Sequence, residues 1–286
     1  MTSVQEWKKE KYANTSDIDH RQAIDALASL LENKTSPAET AKAITAAYEP
    51  RSKLNEKIEN FWVLYMCEAI RHFGDAAARE RLVDLLGEIS RLPDVKDADG
   101  SVQSDPGDAV FWRDMPRWAY DFKEYGLHYG VSADFADYEI DDYYAQALPL
   151  LNATRFGAAV LSRGEVACRL PAAADLFLEE GIEEPYDETR RASREWQVLL
   201  PPAATWLLVT GSTFYRLCHG GKGQGALEGE TRPERKKWDG RVWSPERWAL
   251  WKERLQTLAD RDDISDECRG FAAQARKKME ELEAQH

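Results

Sequence analysis

Apolar residues recur three and four positions apart almost from one end of this chain to the other. That spacing buries one face of a helix, not of a strand. From Leu54 to Phe73 the face is Ile58, Phe61, Trp62, Tyr65, Met66, Ala69 and Ile70, and Gly74 ends it. From Ala76 to Leu92 it is Leu82, Leu85, Leu86 and Ile89, closed by Pro93. Helix starts carry their own signals. Ser16-Asp17 precedes the stripe of Ile24, Leu27, Ala28, Leu30 and Leu31. Ser36-Pro37-Ala38-Glu39 is a capping box with proline in the first turn, ahead of Ala43, Ile44 and Ala47. Further helices are predicted over 109–129, 138–161, 165–180, 188–200, 203–217, 245–260 and 265–284. Pro149, Pro171 and Pro201-Pro202 should break or kink them. No stretch joins β-branched alternation to paired turn signals, so little or no sheet is expected. The fold class is all-α: one helical-bundle domain over 1–286, with irregular loops near 93–107 and 219–243.

Composition narrows the company such a bundle keeps. The 286 residues carry a formal charge of −13, which excludes a general nucleic-acid binder and docking on anionic membranes. No apolar run approaches the roughly 20 residues of a membrane-spanning helix. The N-terminal MTSVQEWKKEKYANTSD has no apolar core, so no signal peptide is expected and the cytoplasm is the expected compartment. Cys67, Cys168, Cys218 and Cys268 lie far apart and read as reduced, partly buried thiols. The five histidines never take metal-ligand spacing, and the Gly220–Gly225 stretch lacks the order of a phosphate loop.

Chemistry has three places to sit. Asp121 and Glu124 are three apart and share one helix face, where they would hold Mg²⁺ or form a solvated acidic surface. Asp141 and Asn152 are eleven apart, on one stripe if the helix survives Pro149; with the neighbouring Asp142 they suggest either a metal–diphosphate site or acids placed at a helix start. The third is Trp243-Ser244-Pro245-Glu246-Arg247-Trp248-Ala249-Leu250-Trp251-Lys252-Glu253-Arg254-Leu255. There Ser244 caps, Trp248, Trp251, Leu255 and Leu258 form the apolar stripe, and Lys252 lies beside it. A cation so placed must snorkel, pair with a carboxylate or face a polar cavity. Lys252 and Arg247 flanked by indoles would grip a diphosphate, or form structural ion pairs. The 10 Trp, 11 Tyr and 9 Phe serve either as core filler or as the wall of an apolar cavity, with Trp118, Trp248 and Trp251 as wall candidates.

The helix SPERWALWKERL resembles the signature of a fungal domain-of-unknown-function family, number thirty-six thirty-two in its series. LASLLENKTSPAETAKAITAAYEP, IENFWVLYMCEAIRH, RLVDLLGEISRLP, DMPRWAYDFKE, LLNATRFGAAVL and LLPPAATWLLVTGSTFY follow the same family in order. The family name carries no activity. The set is similar in kind to the unconventional humulene-forming terpene cyclases of fungal tropolone pathways. That likeness implies an all-α lyase that ionises and cyclises a prenyl diphosphate such as farnesyl diphosphate. Mg²⁺ would sit on some of Asp121, Glu124, Asp141 and Asn152, with Lys252 and Arg247 stabilising the departing charge. The DDxxD and NSE motifs of ordinary cyclases are absent. The alternative is a non-enzymatic helical binding or scaffold protein of a fungal cytosol. It predicts interlocked aromatics and Lys252 paired to a carboxylate. A third reading is an enzyme acting without metal on another apolar metabolite. The sequence leaves the oligomeric state open between monomer and homodimer.

Overall fold

A computed structural model describes residues 3–48, 54–96, 104–105, 109–115, 118–127, 145, 147–164, 170–183, 192–220 and 243–285. The fold is all-α. The only sheet among these residues is an antiparallel pairing of β1 (Ser104–Asp105) with β2 (Ala109–Val110). The chain divides into two compact units, Met1–Cys168 and Arg169–His286, where the sequence suggested a single domain.

The first unit opens with α1 (Val4–Ala13), α2 (Ile18–Leu31) and α3 (Pro37–Tyr48). Asp17 caps α2 by accepting from the Asp19 N–H at 2.8 Å. Ser36 and Glu39 close the expected box at α3. The long helix read from Leu54 to Phe73 runs as α4 (Leu54–Asn60), a π-helical stretch (Phe61–Cys67) and α5 (Glu68–His72). Next comes α6 (Ala76–Ser90), capped by Asp75. The helix expected over 109–129 is broken into β2, α7 (Phe111–Asp114), α8 (Trp118–Asp121) and a second π-helical stretch (Phe122–Leu127). Met115, at φ +41°, ends α7 in a backbone region that non-glycine residues seldom enter. Last is α9 (Ala147–Arg163), which carries Pro149 without a break. Leu27, Leu30, Ile44, Leu82, Leu85, Leu86 and Ile89 are fully buried. A chain of rings completes this core. Tyr48 meets Phe61, Phe61 meets Trp62 with centroids 4.8 Å apart, and Trp62 meets Trp118 at 5.2 Å. Trp118 stacks on Phe122, and Phe156 stands edge-on to both.

The second unit contains α10 (Leu170–Leu178), a third π-helical stretch (Glu179–Glu183), α11 (Ala192–His219), α12 (Pro245–Ala259) and α13 (Asp266–Gln285). The break expected at Pro201-Pro202 does not occur: α11 is one helix of 28 residues. Pro201 deprives the Gln197 carbonyl of its usual partner four residues on, and the Cys268 thiol of α13 donates to that oxygen at 3.6 Å. Thr205 returns a bond to the Pro201 carbonyl at 2.8 Å. Helix α13 packs along both α11 and α12, burying Ala272, Ala275, Met279 and Leu282. No helix among the described residues is long and apolar enough to cross a membrane.

Candidate functional site

The ERWxxWKxR helix, α12, starts as its sequence dictates. The Ser244 hydroxyl accepts from the Arg247 N–H at 3.2 Å, and Pro245 takes the first turn. Trp248, Trp251, Leu255 and Leu258 face inward. Arg247 does so as well, at 2% exposure. Its Nη1 lies 2.6 Å from Asp175 Oδ1 of α10, and its Nε donates to Glu183 Oε1 at 2.6 Å. The Trp251 indole N–H donates to the same Glu183 oxygen at 2.7 Å. The guanidinium also lies 5.4 Å and 5.3 Å from the ring centres of Trp243 and Trp251. Burial opposes its charge, but the two carboxylates outweigh burial and hold it above its ordinary value.

Lys252 pairs with a carboxylate from α13. Its Nζ donates to Glu283 Oε1 and Oε2 at 2.9 Å and 2.7 Å, and the Trp248 indole N–H adds a bond to Oε1 at 2.9 Å. Burial would raise the Glu283 carboxyl; the bonds from Lys252 and Trp248 override it and keep it below the usual carboxylate value. Tyr215 and His219 of α11 stack on each other, with centroids 4.2 Å apart, and both meet Trp248 edge-on. The polar groups of α12's inner side therefore bond to acids of its own unit. Asp175, Glu183 and Glu283 are functional-site residues the sequence reading did not single out. They lie on other elements, up to 72 positions from the cation they meet, and local spacing carries no sign of them.

The proposed magnesium ligands fall in the first unit. Asp121 is wholly buried, whereas Glu124 is half-buried with Lys123 Nζ at 3.8 Å, so the shared carboxylate face is not realised. The reason is the π-helical winding that begins at Phe122: its wider turn no longer superposes residues three apart. Asn152 is buried, and its amide donates to the Arg71 carbonyl at 2.9 Å near the end of α5. Arg71 donates to the Gly126 carbonyl at 2.9 Å. Cys67 lies between the two π-helical stretches, its thiol 3.9 Å from the Asp121 carbonyl. Burial, then the Asp121 carboxylate, pushes that thiol well above its ordinary value, with Arg71 opposing. Asp141 lies outside the described residues. Among those described, no three His, Cys, Asp or Glu side chains gather as a metal site. Trp118 is ring-packed in the first unit, while Trp248 and Trp251 are ring-packed in the second.

A family model described as "Protein of unknown function (DUF3632)" matches residues 62–255. The chain belongs to this family. No curated protein and no solved structure matches the chain. The DUF3632 span holds both π-helical stretches of the first unit except Phe61, and all but the last turn of α12. It stops before α13, so the carboxylate that receives Lys252 and Trp248 comes from outside it.

Proposed function

We propose that this DUF3632 chain is a non-enzymatic helical binding or scaffold protein, in which the signature helix organises the second unit. The observation that carries the reading is the double neutralisation of α12: Arg247 by Asp175 and Glu183, and Lys252 by both oxygens of Glu283. A lysine engaged by a bidentate carboxylate must first break that pair to grip a substrate diphosphate. The interlocked rings of both units agree with this assignment, because π-faces that close on one another fill a core.

A prenyl-diphosphate lyase is the second reading. In its favour, Asp121, Arg71 and Asn152 are buried near the aromatic chain of Trp62, Trp118 and Phe156, an unusual density of polar groups for such a core. One experiment separates the two readings. Purified protein is incubated with farnesyl diphosphate and Mg²⁺, and released diphosphate is measured for wild type and Lys252→Ala. The scaffold reading expects background release from both. Release by wild type that disappears in Lys252→Ala would overturn it in favour of the lyase.

A further inference from the structure

His20 has no part in any reading above, yet it is built into the first unit with unusual care. It lies on the inner face of α2, 7% exposed. Tyr48, the last residue of α3, and Tyr65, from the π-helical stretch Phe61–Cys67, flank its ring with centroids 5.8 Å and 5.5 Å away. Its Nδ1 is 3.0 Å from the Tyr48 hydroxyl. Burial raises the Tyr48 phenol far above its ordinary value, so the hydroxyl keeps its proton. A neutral phenol either donates to a bare Nδ1 or accepts from Nδ1–H, so this pair stays bonded in both tautomers of the neutral ring.

Among the described residues, the charged groups around this ring come from two helices. Asp17 and Asp19 lie at the start of α2, and Lys57 comes from α4. Lys57 Nζ donates to Asp17 Oδ2 at 2.9 Å and to Asp19 Oδ2 at 2.7 Å, clasping α4 onto α2. Asp17 favours a positive His20, Lys57 disfavours it, and burial outweighs both, so the imidazole lies below its ordinary value. Arg21, the next residue, turns away to the Thr15 carbonyl and the Tyr12 ring. Tyr65 is uncharged, its phenol raised by burial.

We propose that the nest of His20, Tyr48 and Tyr65, roofed by Lys57 on Asp17 and Asp19, is an acid-opened clasp that releases α4 from α2. Protonation puts N–H at both ring nitrogens. Nδ1–H then donates to the Tyr48 oxygen, which can no longer donate to the ring. The new cation sits on a buried ring and competes with Lys57 for the partly exposed Asp17, and the relief is for α4 to lift so that water reaches the ring. The sign follows from proton counting. The opened state binds a proton near the free histidine value of about 6.5, the closed state only at lower pH. Between those two values the opening constant rises about tenfold for each unit of falling pH.

Two measurements on the full chain test the clasp. The His20 ring resonance, assigned by its loss in His20→Gln, should titrate below 6.5 in wild type. Hydrogen exchange of the α4 and first-turn α2 amides, corrected for intrinsic chemistry, should show the tenfold-per-unit slope in wild type and a flat profile in His20→Phe. A wild-type midpoint at or above 6.5 overturns the proposal, and so does a slope that persists without His20. Should His20→Phe not fold, the titration and the wild-type exchange slope still decide the matter.

Discussion

Single residues in this chain differ sharply in what their charges are worth. Arg247 is enclosed by two carboxylates and two indoles. Arg247→Ala strands Asp175 and Glu183 in the core and should cost about 3–5 kcal/mol in urea unfolding, because a buried partner left without its counter-ion is expensive. Lys252 and Glu283 are each about a third exposed, and Lys252→Ala should cost at most about 1 kcal/mol. Equal losses in the two variants would contradict this ranking. The Glu283 pair also has a pH signature. Its carboxyl is held below the ordinary 4.5, so its contribution is complete above that value and is lost as pH falls through the lower, folded one. Lys252→Ala should flatten that part of the acid-unfolding curve. The sequence narrowed Lys252 to three fates, pairing with a carboxylate among them, because its place beside an indole stripe is local information. Ion pairing was also one of the two fates open to Arg247, but its partners, contributed by α10 and the π-helical stretch that follows it, were not legible. His20 could have been noticed, since it lies three and four before Ala23 and Ile24 on the same stripe.

At the scale of elements, caps were legible and winding was not. Ser36, Asp17 and Ser244 begin helices where their side chains said they would. The π-helical stretches answer to no short motif, and they are what separated Asp121 from Glu124. Prolines were over-read: Pro149, Pro171 and Pro201-Pro202 all lie within helices that they do not end, and only the Gln197 carbonyl that Pro201 leaves open is seen taking a bond from Cys268. The junction between α5 and α9 makes a sharper prediction. A Cβ on Gly74 would lie 1.9 Å from the Asn152 side chain, which is what lets the Asn152 amide reach the Arg71 carbonyl. Gly74→Ala should destabilise by about 1–3 kcal/mol through this overlap. Combining it with Asn152→Ala should cost less than the sum of the two single changes, because both act on the same contact. Additive losses in a double-mutant cycle would refute the coupling.

At the scale of the molecule, periodicity alone was enough for the all-α class, because a 3.6-residue repeat leaves little freedom about how the apolar faces are buried. The partition into two units was not visible, since each boundary depends on which helices exchange contacts, not on composition. The thiols follow that partition. Cys67 is buried in the first unit, and Cys218 and Cys268 are buried in the second; Cys168 lies outside the described residues. Burial pushes Cys218 up to about 12, and raises Cys67 and Cys268 as well, so little thiolate is present at neutral pH. Native protein treated with a thiol reagent should leave these three unmodified, whereas urea-unfolded protein should react at all of them; rapid native labelling of Cys67 would contradict the packing described here. Among the described residues, one buried thiol thus reports on the first unit and two on the second. Mass mapping of the alkylated peptides along a denaturant series would give a separate melting record for each half of the same chain, with no dye or engineered tag.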